Sequence, residues 1–328
     1  MKSEQGKEFG GHEIPRIRRP VCRQRLLLLF IFWGLGTVAP AYGASCTGQG
    51  LEVQVLGSGG PEIQDKRASS AYLVWVDGRA RVLIDAGSGS ANHFGDAGAQ
   101  VEDLDIIFLT HLHVDHAADL PVLVKSSFFG NRTRPLPVLG PAGNNLYPAT
   151  TEFVRLLFDR RSGAYRYLGD YLTGENGAYA LQVKDLPLPE DRPTRVFDAG
   201  GITAYALPSG HGPVPSLAHR LEIGGLVLAF SGDTSGNNKA LVDLAREADI
   251  FIAHNAVPEE EEGVGRALHM PPSVIGKIAG EARVKKLVLA HFMNRTLGRE
   301  KETVSLIRKN YGGPIVMAND LDCYPVKK

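Results

Sequence analysis

Seven short apolar runs rich in Val, Ile and Leu most constrain what this 328-residue chain can fold into. Each run ends in polar or glycine-rich residues, which is typical of a buried strand followed by a loop. The runs are LEVQVLG at 51–57, AYLVWVD at 71–77, RVLIDAG at 81–87, DIIFLTH at 105–111, LVLAFSGD at 226–233, DIFIAHN at 249–255 and KLVLAHF at 286–292. Helical patterns follow at 237–248 and 271–282. This alternation predicts a layered α/β protein in which helices cover sheet.

The stretch at about 125–200 has a different composition from the rest of the chain. It is rich in proline and aromatic residues, and its ten bases nearly balance its eight acids. Such a composition favours a lid-like insertion over an independent domain or a basic arm. We therefore expect one domain at 44–328 that contains this insertion.

Charge is unevenly distributed along the chain, although 36 Lys and Arg residues balance 36 Asp and Glu residues. Residues 1–25 hold seven bases against three acids, and residues 26–43 hold no charged residue. A basic stretch before an apolar run predicts a signal peptide at 1–43, cleaved before Ala44, and a periplasmic or secreted protein. An uncleaved membrane anchor is the alternative, but the apolar run is shorter than the roughly 20 residues of a membrane span.

Removal of residues 1–43 would leave 29 bases and 33 acids, a net charge of −4. This acidity argues against a protein that holds nucleic acid by bulk electrostatics. It also leaves two cysteines, Cys46 and Cys323, near the two ends of the chain. In an exported protein such a pair predicts a disulfide, with two free thiols as the alternative.

Metal-binding side chains cluster directly after the run DIIFL. His111, His113, Asp115 and His116 lie within six positions, which brings three imidazoles and one carboxylate into a small volume. Three more such residues follow later apolar runs, namely His211, Asp233 and His291. Because strand ends on one edge of an α/β sheet converge, these residues predict a shared metal site.

The motif H-x-H-x-D-H at 111–116, with His211, Asp233 and His291 in that order, resembles the metallo-β-lactamase superfamily. Within it the chain looks most like the branch of ribonuclease Z, the periplasmic arylsulfatases and related phosphodiesterases. The supporting segments are VLGSGGP at 55–61, LIDAG at 83–87, PLPVLGPAG at 135–143, SGDT at 231–234 and LVLAHFMNR at 287–295. The resemblance implies an αββα sandwich, with two mixed β-sheets flanked by helices.

The resemblance also implies a dinuclear site that holds two Zn²⁺ ions, with Mn²⁺ or Fe as alternatives. One ion would be bound by His111, His113 and His211, the other by Asp115, His116 and His291, with Asp233 as the bridge. Asp85 would orient a ligand. The metal pair would hold a bridging hydroxide as the nucleophile, so no Ser or Cys nucleophile is required.

Two positions bear on the proton transfers of the ribonuclease branch. Asp115 and His269 match catalytic positions, and His269 is the candidate general acid. Asn255 stands where ribonuclease Z has a Glu, and an amide cannot relay a proton, which argues against the ribonuclease mechanism. For the neighbouring His254 we expect a structural role at a strand end.

These observations predict an exported, dinuclear zinc hydrolase of a small sulfate or phosphate ester, of the arylsulfatase or phosphodiesterase type. The alternatives are a ribonuclease Z-like enzyme acting on nucleic acid, a lactonase or β-lactamase-type acyl hydrolase, and a non-catalytic binding protein. The expected partner is a small ester, with nucleic acid disfavoured and no stable membrane span after cleavage. A homodimer is a family expectation.

Overall fold

Two seven-stranded sheets form the centre of the protein in a computed structural model that describes residues 46–327. The predicted signal peptide therefore lies outside the described residues. In spatial order, sheet 1 consists of β14 (Cys323–Val326), β1 (Leu51–Gly57), β2 (Ala71–Val76), β3 (Arg79–Ile84), β4 (Ile106–Phe108), β5 (Leu136–Pro141) and β6 (Leu181–Leu186). Pairing is antiparallel from β14 to β3 and parallel from β3 to β6, so the sheet is mixed.

Sheet 2 repeats this arrangement. Its spatial order is β13 (Ile315–Met317), β12 (Leu287–Ala290), β11 (Ile250–His254), β10 (Leu226–Phe230), β9 (Leu217–Ile223), β8 (Ile202–Pro208) and β7 (Thr194–Ala199). Pairing is antiparallel from β7 to β10 and parallel from β10 to β13. The seven apolar runs correspond to β1, β2, β3, β4, β10, β11 and β12, so those predictions are confirmed.

Helices cover the outer face of each sheet. The α-helices are α1 (Ser90–Asp96), α2 (Val114–Ala117), α3 (Leu120–Ser126), α4 (Thr150–Phe158), α5 (Asp170–Thr173), α6 (Ala240–Leu244), α7 (Gly263–Leu268), α8 (Pro272–Glu281) and α9 (Glu300–Ile307). Side chains of α1, α3, α4 and α5 pack on sheet 1, and those of α6, α8 and α9 pack on sheet 2. The predicted αββα layers are confirmed. Among residues 46–327, no helix is long and apolar enough to cross a membrane.

The strands are nearly continuously apolar because both of their faces are buried. On β2, Tyr72 and Val74 point into the core between the sheets, whereas Leu73 and Trp75 point towards the helices. Successive side chains of a strand alternate between its two faces, so only a strand covered on both sides needs apolar residues at every position.

The stretch 125–200 differs from the predicted lid-like insertion. It contributes β5 and β6 to sheet 1 and β7 to the edge of sheet 2, and α4 packs on β6. Two prolines interrupt β5, and β6 is buried only at its two ends, so neither strand shows the periodicity on which strand prediction depends. Most of this stretch is therefore part of the sandwich itself.

A disulfide joins Cys46 to Cys323, as the cysteine count predicted. Cys323 is the first residue of β14, and β14 pairs with β1. Cys46 lies five residues before the start of β1. The bond thus ties the start of the domain to its last strand.

His219 on β9 is buried in the core between the sheets and stacks at 4.9 Å on Phe108. Neither of its ring nitrogens has a hydrogen-bond partner among the described residues, and burial lowers the pKa of His219 to about 3. Below pH 6.5 the unfolded chain binds a proton at this position that the folded protein does not bind, so stability falls as the pH falls.

We expect a His219→Leu variant to lose less stability on acidification than the wild type. Between pH 7 and pH 5 the difference should reach about 2 kcal/mol, because the proton is taken up only by the unfolded wild type. Urea denaturation of both metal-free proteins at the two pH values measures it. Equal losses for both proteins would show that His219 does not contribute to the acid sensitivity.

Candidate metal centre

The loop after β4 brings four potential ligands to one rim of the sandwich. His111 lies just beyond β4, His113 precedes the first residue of α2, and Asp115 and His116 lie within α2. Gly87 permits this arrangement, because a Cβ at that position would lie 2.2 Å from the Asp115 carbonyl oxygen. The short helix therefore packs directly on the backbone that follows β3.

Sheet 2 delivers three more side chains to the same rim. His211 follows β8, Asp233 follows β10 and His291 follows β12. Each comes directly after a buried strand, so convergence at the strand ends occurs as predicted. The two sheets together form the site, since neither sheet holds more than four of the seven residues.

Asp233 is at the centre of the cluster. Its Oδ2 lies 3.8 Å from His111 Nε2, 3.7 Å from His211 Nε2 and 3.6 Å from His116 Nε2. Its Oδ1 lies 3.3 Å from His291 Nε2, and Asp115 Oδ2 lies at the same distance from that nitrogen. Ligand atoms of His111, His113 and His211 also lie within 4.8 Å of one another. The seven residues therefore form two adjoining groups that share Asp233.

Hydrogen bonds on the far side of the rings aim the Nε2 atoms into the cluster. His116 Nδ1–H donates to Asp85 Oδ2 at 2.7 Å, and His211 Nδ1–H donates to the Leu268 carbonyl at 2.9 Å. Thr110 donates its hydroxyl to Asp85 at 2.8 Å and faces His111 Nδ1 at 3.1 Å. The expectation that Asp85 orients a ring of the site is confirmed for His116.

Strained backbone holds two of these residues in place. Asp85 has φ of 61° and His291 has φ of 56°, a region that non-glycine residues rarely adopt. His291 also lies against Gly60, where a Cβ would be only 2.8 Å from the imidazole Cε1. The glycine in the segment VLGSGGP is thus required by the close approach of this ring.

The charges of the metal-free cluster are set by burial and by mutual contacts. Burial lowers the pKa of His111 and of His113, so both rings are neutral with free lone pairs. Burial alone would raise the pKa of Asp233, but His291, His269 and His116 hold it well below its usual range. Neutral His111 and His113 beside an ionised Asp233 are in the donor states that a divalent metal requires. Burial would lower the pKa of His116 and of His291, but the neighbouring carboxylates raise both, so metal binding there would displace a proton.

His254 and Tyr72 belong to this site, although the sequence pointed to neither as a functional residue. His254 ends β11, stacks on His291 at 4.7 Å and contacts Asp233 Oδ1 through Nδ1 at 2.7 Å. Tyr72 of sheet 1 contacts its Nε2 at 2.8 Å. The only sequence signal was the position of His254 directly after an apolar run, which it shares with His291.

His269 lies at the accessible side of the cluster. It follows α7, and its Nδ1 is 3.9 Å from Asp233 Oδ2. Burial lowers the pKa of His269 to about 4.

Asn255 is buried, and its amide oxygen has no hydrogen-bond partner among the described residues. A cavity of about 840 Å³ borders His211 and extends along 141–144, 186–191 and 208–217.

Two helix-covered mixed sheets with imidazoles and carboxylates at one rim define an α/β/β/α protein with a metal centre. The model of the metallo-beta-lactamase superfamily matches residues 65–275, and the chain belongs to this superfamily. This fold implies divalent metal binding, and the protein is a metal-dependent hydrolase acting on phosphodiester or ester bonds.

Among characterised relatives, the chain is similar to ribonuclease Z from Mycolicibacterium paratuberculosis and from Thermobifida fusca. It is 26% identical to the former over 83% of this chain and 96% of the relative, and 27% identical to the latter over 82% and 93%. The sandwich also matches the human short-form tRNase Z, with a TM-score of 0.64, 22% identity and coverage of 84% and 100%. The protein YhfI from Bacillus subtilis matches with a TM-score of 0.63, 24% identity and coverage of 84% and 99%. The names of the ribonuclease relatives run against the expectation that nucleic acid is disfavoured as a partner.

Proposed function

We propose that the rim cluster holds two divalent metal ions, with zinc as the ion best suited to this donor set. His111, His113 and His211 would bind one ion, Asp115, His116 and His291 the other, and Asp233 both. The observation that supports this assignment is a set of four buried Nε2 atoms, on His111, His116, His211 and His291, that have no hydrogen-bond partner within residues 46–327. Buried polar atoms without partners are rare and costly, and binding of metal ions would satisfy all four.

We further propose that the reaction is hydrolysis of an RNA-type phosphodiester. Two metal ions, when bound, would lower the pKa of a water and neutralise charge on the attacked phosphorus. The chain's own contribution is positional: Asp85 and the Leu268 carbonyl orient two of the imidazoles, and Thr110 links Asp85 to His111. The similarity to ribonuclease Z over nearly the whole length of those relatives supports the choice of substrate.

The surface that follows the centre along the chain also supports an RNA-type substrate. Residues 125–167 hold seven bases and two acids, and the acids that balance the stretch 125–200 follow later. Phe128, Phe129 and Tyr167 are exposed there around the Lys125 ammonium, and Arg161 and Arg166 are exposed nearby. Exposed aromatic rings among cationic groups are typical of surfaces that stack single-stranded bases.

A small sulfate or phosphate ester is the second candidate substrate, and one observation supports it. Asn255 occupies the position of the proton-relaying Glu of ribonuclease Z, and it is 1% exposed. An amide in that place suits an ester whose leaving group needs little protonation, such as a phenol.

A substrate panel tests the two candidates on the same metal-quantified protein. We expect cleavage of a single-stranded oligoribonucleotide and of bis(p-nitrophenyl) phosphate, with slower turnover of nitrophenyl sulfate, nitrophenyl phosphate and nitrophenyl butyrate. Faster cleavage of the sulfate than of either diester would favour the arylsulfatase reading. Turnover of the butyrate alone would favour an acyl hydrolase.

Export is a separate proposal. The disulfide between Cys46 and Cys323 supports an oxidising compartment, which agrees with a signal peptide at 1–43. In that compartment the enzyme would meet phosphodiesters outside the cytoplasm rather than transfer RNA precursors. Fractionation of the source cells, with N-terminal sequencing of the protein, tests it: a cytoplasmic protein that retains residues 1–43 would contradict export.

We propose His269 as the proton donor to the leaving group, on the basis that an anionic phosphodiester bound beside the ring would raise the pKa that burial lowers to about 4. We expect His269→Ala to slow cleavage of an oligoribonucleotide by about 10²–10⁴-fold, because an alkoxide leaves poorly without a proton. Cleavage of bis(p-nitrophenyl) phosphate should fall much less, since nitrophenolate leaves unprotonated. Initial rates on both substrates measure the contrast, and the control is His93→Gln, at a histidine of α1 that belongs to none of the potential metal-binding groups of the described residues. Equal losses on both substrates would assign His269 to another role.

A further inference from the structure

A line of three buried side chains connects sheet 1 to the centre of the metal cluster. Tyr72, His254 and Asp233 are each 2% exposed or less, and the two hydrogen bonds that join them measure 2.8 and 2.7 Å. We propose that Tyr72 and His254 are positioning residues that orient the Asp233 carboxylate for two metal ions, and that His254 is not itself a ligand. This inference rests on the proposed dinuclear site.

The direction of each hydrogen bond follows from the groups involved. An ionised carboxylate only accepts, so His254 must carry its proton on Nδ1 and donate it to Asp233 Oδ1. The Nε2 atom of that neutral tautomer then accepts, and the Tyr72 hydroxyl donates to it. Tyr72 therefore selects the tautomer of His254, and that tautomer supplies the N–H which holds the carboxylate.

The geometry separates His254 from the other imidazoles of the cluster. Both of its ring nitrogens are occupied by Tyr72 and Asp233. In the described part of the chain, the Nε2 atoms of His111, His116, His211 and His291 have no hydrogen-bond partner. A metal could bind His254 only if one of these short hydrogen bonds broke. His254 is thus close enough to the cluster to bind a metal, but both of its nitrogens already form hydrogen bonds with Tyr72 and Asp233.

The hydrogen bond from His254 fixes how the Asp233 carboxylate faces the two groups of proposed metal ligands. With Oδ1 held by His254, Oδ2 is turned towards His111, His116 and His211, at 3.6–3.8 Å from their Nε2 atoms. The backbone supports the same alignment, because the His254 N–H donates to Ser231 Oγ two residues before Asp233. One carboxylate can serve both groups only if this orientation is maintained.

Four variants test the proposal through metal affinity rather than turnover. Tyr72→Phe removes the hydroxyl, His254→Leu removes both ring contacts, and His254→Asn keeps an N–H that can reach Oδ1. Tyr179→Phe is the matched control, because Tyr179 is also a buried tyrosine with a side-chain hydrogen bond, to Ser127 at 2.9 Å. Zinc dissociation constants come from chelator competition, and stoichiometry from metal analysis at saturation.

We expect Tyr72→Phe and His254→Leu to weaken zinc binding about 10–100-fold, the usual effect of losing a partner of a metal ligand. His254→Asn should recover part of the loss, Tyr179→Phe should bind as the wild type does, and every variant should still saturate at two ions. Saturation of the His254 variants at one ion would make His254 a ligand and overturn the proposal.

Wild-type affinity in both Tyr72→Phe and His254→Leu would likewise overturn it, leaving these residues a packing role alone. Failure of the wild type to bind two ions would instead refute the dinuclear site itself, so the two failures are distinguishable. Thermal unfolding of the metal-free proteins identifies a variant that does not fold, in which case the conservative Tyr72→Phe and His254→Asn pair decides the question.

Discussion

Replacing Asp233 with Asn should abolish hydrolysis of bis(p-nitrophenyl) phosphate, with a fall in kcat/KM of about 10³-fold or more. Among the described residues, Asp233 is the carboxylate whose oxygens lie within 3.8 Å of five site imidazoles. An amide is neutral and offers one acceptor, so it cannot serve two cations. The loss of metal-derived charge stabilisation by about 4 kcal/mol corresponds to this change in rate.

The matched control for this variant is Asp249→Asn. Asp249 is also a buried aspartate, but it lies directly before the first residue of β11, at the end of the strand away from His254. It forms an ion pair with Lys285 at 2.7 Å. We expect Asp249→Asn to affect stability and to leave metal content at two ions. Retention of two ions and of turnover within tenfold of the wild type in Asp233→Asn would contradict the bridging role.

Removal of the disulfide by Cys46→Ser with Cys323→Ser should lower the free energy of unfolding by about 4–5 kcal/mol. The cross-link spans 277 positions, and the loss of loop-closure entropy in the unfolded chain grows with the length of the closed loop. The hydrolytic activity of the folded protein should change little, because the disulfide lies beside β14 and β1 rather than at the metal centre. Urea denaturation of the wild type and the double variant measures the difference.

Reductant supplies the control for this second experiment. It should lower the denaturation midpoint of the wild type to that of the double serine variant and leave the variant itself unchanged. Two titratable thiols in the denatured, unreduced wild type would contradict the disulfide. An unchanged midpoint on reduction would show that the bond contributes no stability.

The ribonuclease relatives favour an RNA-type phosphodiester as the substrate, whereas Asn255 favours a small ester. The relatives match the chain along nearly their entire length. Asn255 stands where the resemblance to the ribonuclease branch leads us to expect a proton-relaying Glu, and its amide cannot relay a proton. A phosphodiester satisfies both observations if His269 alone protonates the leaving group. The leaving-group contrast of His269→Ala is therefore the measurement that bears most directly on mechanism.

Much of the fold could be predicted because the strands that form the core are buried on both faces. Runs such as LVLAF at β10 and LVLA at β12 stand out from the rest of the chain, and each is followed by the residue that enters the site. The strands of 125–200 escaped prediction because β6 and β7, at the edges of the sheets, consist mostly of exposed or half-buried residues.

The sequence by itself predicted a layered α/β protein, a pair of cysteines able to form a disulfide and a set of candidate metal ligands after the strands, because strand periodicity and ligand chemistry are properties of local sequence. The αββα arrangement was implied by the resemblance to a family rather than by periodicity. Only the tertiary structure decided that Tyr72 and His254 belong to the site. Their contact joins β2 of one sheet to β11 of the other across 182 positions of the chain. No local pattern records such a contact, since it exists only once the two sheets pack face to face.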